Sequence, residues 1–100
     1  MATDRRVVRV AQDFFDRLDE QLGPDRGDAG EPSVTDFLVI DLPAIVDRFA
    51  TDFDGLPEVV EGVPSVRVLV ATGRLVQAVA VFGILAAGDT VDLVDIEIDP

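Results

Sequence analysis

The chain has 100 residues, and 20 acidic side chains against 8 basic ones give it a net charge of −12. All eight cations are arginine, and histidine, cysteine, lysine, tyrosine and tryptophan are absent. Most general-base and nucleophilic chemistry at neutral pH uses His, Cys, Lys or Tyr. The composition therefore speaks against an enzyme, and it excludes disulfides, thiolate metal sites and Ser/His/Asp triads.

Length and hydropathy predict one globular domain that spans residues 1–100. Apolar residues make up 48% of the chain, yet no apolar run reaches the roughly 18–20 residues that a membrane helix needs. We expect no membrane contact and no cofactor. The first residues lack the apolar segment of a secretory signal, so a cytoplasmic location is expected.

The acidity bears on partners. Binding to nucleic acid depends on Lys and Arg that neutralise phosphates, and a chain at −12 repels them at long range. A nucleic-acid interface is therefore disfavoured. Whether the acidity is functional, or reflects coding bias or adaptation to salt, stays open at this stage.

In chain order, residues 5–11 are β-branched and predict a short strand, and residues 12–22 then follow a helical period. A Gly/Pro/Asp-rich connection covers residues 23–32. Ser33 and Asp36 have the spacing of a capping box. The helical stripe that follows consists of Val34, Leu38, Leu42, Ile45, Phe49 and Phe53.

Pro43 lies inside that stripe and removes a backbone donor, so we expect a kink or break near Asp41, which can act as a new N-cap. A strand over residues 35–41 is the alternative. Residues 56–64 then form a loop with proline near each end.

Three strands are predicted in the last third, at residues 66–71, 74–85 and 90–99, with turns at 72–73 and 86–89. The middle strand is apolar at both parities from Ala78 onward, which is typical of an internal strand. We expect Val79, Val81 and Phe82 in the core. On the last strand, Val94, Ile96 and Ile98 should point one way and Asp95, Glu97 and Asp99 the other.

The resulting order β-α-α-β-β-β predicts an α+β fold, in which a helical hairpin packs on one face of a mainly antiparallel four-stranded sheet. One hairpin cannot cover both faces. The set that includes Phe82 and Ile84 cannot share the covered side with Val79 and Val81, so an exposed apolar patch and a homodimer or stable complex are expected.

This order resembles the RelE/ParE superfamily of bacterial toxins. The segment RRVVRVAQDFFDRLDEQL is similar to that family's strand-to-helix start, and VRVLVATGRLVQAVAVFGILAAGDTVDLVDIEID to its meander. Arg67 lies on the first meander strand, where the family often has an arginine, and Arg74 opens the next. The resemblance implies a toxin–antitoxin protein.

The chain departs from the ribonuclease branch of that family, which carries Arg, Lys, His or Tyr on the meander. Here the last strand ends in three carboxylates, which repel RNA phosphate. The resemblance therefore implies a domain without nuclease chemistry that binds an antitoxin, a target protein or itself. An active ribonuclease acting on mRNA and an acidic decoy that mimics nucleic acid are the alternatives.

Four residues are candidates for partner binding: Arg67, Arg74, Phe82 and Ile84. Each arginine could instead pair with a nearby carboxylate at a strand edge. No catalytic residue is predicted. No metal site is expected either, and the weak oxygen-ligand candidates are Asp95, Glu97 and Asp99, for which a solvated strand face is the simpler interpretation.

Overall fold

The computed structural model describes residues 5–23, 33–72 and 77–99. The strands are β1 (Val8–Val10), β2 (Val66–Ala71), β3 (Ala78–Ala86) and β4 (Thr90–Asp99). The helices are α1 (Gln12–Gln21), α2 (Val34–Ile40) and α3 (Leu42–Asp52), and 3-10 turns occupy Phe53–Gly55 and Ala87–Asp89. The predicted α+β class and element order are confirmed, with the second helix divided in two.

The sheet has the strand order β1-β4-β3-β2. Strands β2, β3 and β4 form an antiparallel meander, and β1 pairs in parallel with β4 over Val8–Val10. The prediction that the strand around residues 78–85 is internal is confirmed. Its predicted first residues, 74–76, and most of the connection at residues 23–32 lie outside the described residues.

The division between α2 and α3 falls at Asp41, as Pro43 predicts. Pro43 lies in the first turn of α3, where a missing N–H costs nothing. Asp41 holds the N-cap position, although its side chain makes no capping hydrogen bond. The alternative of a strand over residues 35–41 is wrong.

The start of α2 has the predicted capping box. Ser33 Oγ accepts a hydrogen bond from the Asp36 N–H, and the Asp36 carboxylate accepts one from the Ser33 N–H, both at 3.1 Å. These bonds satisfy two donors that the first turn would otherwise leave unpaired.

The core lies between the helices and one face of the sheet, called here the inner face. It is formed by Phe14, Leu18, Leu22, Phe37, Leu42, Ile45, Phe49, Phe53, Leu56, Leu69, Val79, Val81, Val91, Leu93 and Ile96. Val79 and Val81 are buried as predicted. Phe82 does not belong to this core, because it lies between them in the strand alternation and so points to the opposite face. Phe37 is buried although the predicted stripe omits it.

A β-bulge in β4 keeps its apolar residues on the inner face. Val91 and Leu93 are buried, and so is Ile96, which has the opposite parity. The pairing shifts so that Gly83 faces Leu93 while Phe82 faces Asp95, which leaves Val94 as the extra residue. The alternation predicted that Val94 lies on the same side as Ile96 and Ile98. This prediction is wrong, because the bulge places Val94 on the other side of the strand.

Among the described residues, no helix is both long and apolar enough to cross a membrane.

Candidate functional site

The sheet face opposite the helices is mainly apolar over β2 and β3. Directly paired residues of neighbouring strands share a face. The pairs Val66–Ile84, Val68–Phe82 and Val70–Ala80 all have the parity opposite to the buried pair Leu69–Val81. Their side chains therefore lie on what we call the outer face.

A short segment beyond β2 extends the outer face. Glu58 forms an isolated antiparallel bridge with Arg67, the Val59 N–H donates to the Val66 carbonyl, and the Val68 N–H donates to the Pro57 carbonyl. Alternation along this segment places Pro57 and Val59 beside the outer-face residues of β2. The outer face thus comprises Pro57, Val59, Val66, Val68, Val70, Ala78, Ala80, Phe82 and Ile84.

Within the described ranges 5–23, 33–72 and 77–99, no element covers the outer face. The helices contribute to the core on the other side of the sheet. The 57–59 segment lies at the edge of β2, so it widens this face instead of lying over it. Val70 is 68% exposed and Ile84 is 38% exposed, whereas Phe82 is half-buried between its neighbours on the sheet.

One flank of the outer face carries carboxylates. Cross-strand pairing with β3 places Asp92 beside Ile84, Asp95 beside Phe82, Glu97 beside Ala80 and Asp99 beside Ala78. These four residues of β4 form what we call the acidic border. The outer face therefore changes from apolar to acidic within one strand spacing of about 4.8 Å.

Two arginines lie against the acidic border. Arg9 donates two hydrogen bonds to the Asp92 carboxylate, at 2.8 and 3.2 Å. Arg17, on α1, donates to Asp95 at 3.0 Å and to Glu97 at 2.8 Å. The hydrogen bond to Asp95 is the main cause that raises the pKa of Arg17. Four carboxylates against two guanidiniums leave the border with an excess of two negative charges.

The acidic border continues onto α1 through Asp95. A shallow depression between α1 and β4 is lined by Asp13, Asp16, Arg17, Glu20, Val94 and Asp95. Four of these six side chains are carboxylates and one is cationic.

The weak metal candidates are Asp95, Glu97 and Asp99. Two of them are already hydrogen-bonded to Arg17. Over the described part of the chain, no three acidic side chains converge closely enough to hold a metal ion. Asp95 and Glu97 are therefore part of an ion-paired, charged surface.

Arg67, a candidate for partner binding, is engaged inside the molecule. Its guanidinium donates to the main-chain carbonyls of Pro64, Asp54 and Leu56 at 2.7, 3.1 and 2.8 Å, and it lies 3.8 Å from Glu58. Its side chain is only 11% exposed. These contacts tie the turn after α3 and the following loop to β2. The partner-binding role of Arg67 stays a prediction, and Arg74 lies outside the described residues.

Arg67 shares an aromatic neighbour with Arg6. Both guanidinium carbons lie 5.5 Å from the centroid of the buried Phe53 ring, a distance at which cation–π attraction acts. Arg6 also hydrogen-bonds Asp89 at 3.1 Å and Asp54 at 3.4 Å, and the bond to Asp89 is the main cause that raises its pKa. This cluster joins the segment before β1 and the turn between β3 and β4 to the turn after α3.

A small cavity lies between α3 and the β2–β3 hairpin. It encloses about 230 Å³, and its lining includes Ile45, Leu69 and Val79. That volume is below the roughly 300–1,000 Å³ of typical small-molecule sites. The buried Asp41 carboxylate and Arg48 also line it. The cavity is a weaker candidate site than the outer face.

Sequence reasoning found Phe82 and Ile84 of the outer face and missed the residues on β2 and the 57–59 segment. The alternation of Val66, Val68 and Val70 was visible, but β2 is apolar at both parities except at Arg67. Only the pairing register tells which parity faces outward.

No family model matches this chain, and no curated protein or solved structure matches it significantly.

Proposed function

We propose that this domain acts by binding another protein through the outer face. The observation that carries the proposal is the row of apolar side chains on β2 and β3 that no described element covers, with Val70 and Ile84 as its most exposed members. The largest contiguous apolar patch of a protein domain, typically about 300–600 Å², is often a functional interaction site. The composition supports binding over catalysis, since the residues that most often act as general bases are missing.

The size of the face supports a contact with a protein segment. On a sheet, each outward side chain occupies about 4.8 Å by 6.7 Å, so nine of them cover roughly 300 Å². The rows from Ala78 to Ile84 extend over about 20 Å along the strand. This footprint is flat and long, which suits a peptide segment better than a small molecule.

The resemblance to RelE/ParE toxins enters this proposal only through the element order. With that resemblance included, we propose a domain with a toxin-like fold that lacks nuclease chemistry and acts by binding another protein. Messenger-RNA cleavage has less support, because the carboxylates of the acidic border lie on the strand that would face RNA.

The experiment uses two matched double variants. Val70→Gln with Ile84→Gln changes the outer face. Val39→Gln with Ile40→Gln changes α2, where the two residues have the same types and nearly the same exposures, 68% and 39%. Photo-crosslinking side chains at positions 70 and 39 in the native host first identify any protein that contacts either surface. The identified protein is then purified, and its affinity is measured by calorimetry.

We expect a protein that crosslinks from position 70, binds the wild-type chain saturably and binds the outer-face variant at least tenfold more weakly. Removal of two apolar contacts at the centre of an interface accounts for a loss of that size. The α2 variant should bind like wild type. Equal affinities for both variants, or no saturable protein adduct from position 70, would overturn the proposal.

A further inference from the structure

The acidic border determines which kind of protein segment the outer face can accept. This inference rests on the proposed function. A segment that lies on Val68 and Phe82 runs within one strand spacing of Asp95. Any partner side chain on that flank therefore meets carboxylates, and the two arginines beside them offset only half of the charge.

The charge of the whole chain acts in the same direction. At −12, the domain attracts cationic segments and repels acidic ones over a distance of about 8–10 Å at moderate ionic strength. Electrostatic attraction of this kind raises association rates and selects between otherwise similar partners.

A second copy of the chain fits the outer face poorly. A stable interface buries about 800 Å² on each partner, and the apolar face provides roughly 300 Å². A face-to-face pair would also bring together two chains of −12 each. Both facts weigh against the homodimer that the sequence predicts.

The dimensions of the outer face match one helix. Its apolar part spans three columns, the 57–59 segment, β2 and β3, which makes about 14 Å across and about 20 Å in length. A helix with its side chains is about 10–12 Å wide, and about 13 residues extend over 20 Å.

We infer that the occupant is a cationic amphipathic helix of about 13 residues or more in a partner protein. Its apolar stripe packs on Val68, Val70, Phe82 and Ile84, and the Arg or Lys residues along one side of that stripe pair with the acidic border. Glu97 and Asp99 are the border residues best placed to bind them, because both are exposed.

The test uses the full chain and three labelled synthetic peptides of 18 residues. The first carries an apolar stripe at helical spacing flanked by Arg and Lys. The second has the same stripe flanked by Glu. The third has the composition of the first with the apolar positions scrambled. Fluorescence anisotropy measures each Kd at 50 and 300 mM NaCl, and sedimentation equilibrium measures self-association in the same buffers.

Two charge variants separate local from long-range attraction. Glu97→Gln with Asp99→Asn removes two charges of the acidic border. Asp47→Asn with Asp19→Asn removes two exposed charges from α3 and α1 on the helical side of the sheet. The side chains of Glu97 and Asp47 are matched in exposure, at 60% and 59%, and each forms an ion pair with an arginine.

We expect the first peptide to bind at least tenfold more tightly than the other two and to weaken at higher salt. Its affinity should fall at least threefold with the border variant and at least tenfold with Val70→Gln and Ile84→Gln, and less than twofold with the Asp19 and Asp47 variant. Equal binding of the first two peptides would overturn the cationic partner class.

Failure of this inference can be distinguished from failure of the proposed function. Self-association that tightens with salt and is lost in Val70→Gln with Ile84→Gln overturns the cationic helix and keeps binding through the outer face. If outer-face substitutions change neither peptide binding nor self-association, and position 70 gives no protein adduct, both the inference and the proposed function fail.

Discussion

Replacement of Gly83 by alanine tests the packing that fixes α3 on the sheet. Gly83 lies on the inner face of β3, beside the β-bulge. A Cβ atom at this position would lie 2.5 Å from Cε1 of Phe49 and 3.2 Å from Cγ1 of Val91. Carbon atoms normally approach no closer than about 3.5 Å, so the ring of Phe49 must move by about 1 Å. That ring is completely buried, which leaves it no free direction.

The expected magnitude follows from two opposing terms. Overpacking of a core costs about 1–3 kcal/mol, and the full burial of Phe49 places this site near the upper end. The smaller conformational entropy of unfolded alanine returns roughly 0.4–1 kcal/mol. We therefore expect the free energy of unfolding to fall by about 2 kcal/mol and Tm by roughly 8–16 °C.

Urea denaturation followed by circular dichroism measures the change, and the midpoint should fall without a change in slope. Ala80→Val adds bulk to the uncovered outer face of the same strand and is the control, with little or no loss of stability expected. Phe49→Leu makes room for the new methyl group, so the double variant Gly83→Ala with Phe49→Leu should be more stable than the sum of the two single effects by at least about 1 kcal/mol. Strict additivity, or a Gly83→Ala midpoint equal to wild type, would show that the Phe49 ring does not confine this position.

Three further predictions concern other parts of the molecule. Val79→Asp should lower the free energy of unfolding by several kcal/mol, because Val79 is 2% exposed and the new carboxylate would be buried without a partner; unchanged thermal stability would contradict the core assignment. Gln21→Met should cost about 1–2 kcal/mol in the same assay, because the Gln21 amide donates to the Ile96 carbonyl at 2.7 Å and accepts from the Ile98 N–H at 2.6 Å, whereas Gln12→Met at an exposed helix position should cost little. The purified chain added to a translating extract should leave messenger RNA intact, because the carboxylates of the last strand repel phosphate and the chain has no His, Lys or Tyr; specific cleavage that is lost in Arg67→Ala would contradict this.

Hydrophobic periodicity and turn chemistry were sufficient to predict the type and order of the helices and strands. Pro43 alone predicted the division of the second helical region, because a missing donor and a steric clash act locally and need no tertiary information. The capping box at Ser33 is equally local. The bounds of β2 and of β4 were also predicted correctly.

The predictions that failed concern which side chains of β3 and β4 face the core, and these depend on the pairing register of the strands. The bulge at Val94 changes which residues of β4 face the core. The adjacent apolar residues Leu93 and Val94 interrupt the alternation at this point and are the sequence signal that the prediction did not use. The prediction that Phe82 lies in the core was wrong for a similar reason. Both faces of β3 are apolar, so only the position of the helices tells which face is buried.

The hydrogen bonds of Gln21 to the backbone of β4 could not be predicted from the sequence, for a different reason. β1 pairs with β4 only up to Leu93, so the backbone edge beyond it needs other partners. The side-chain amide of Gln21 supplies a donor and an acceptor at the spacing of a neighbouring peptide group, and thus closes the edge at Ile96 and Ile98. A glutamine on a helix surface gives no sign of this until helix and strand are placed side by side.

The net negative charge and the uncovered apolar outer face are related. A net charge of −12 on each chain opposes the approach of a second copy to the outer face at low ionic strength. The carboxylates lie beside the apolar side chains, on β4, so in our proposal they select a cationic partner without occupying the contact area. The same charges repel a second copy and attract a cationic helix, and added salt screens both effects. Added salt should therefore tighten self-association and weaken the binding of a cationic helix. The sign of the salt dependence therefore identifies which partner the outer face binds.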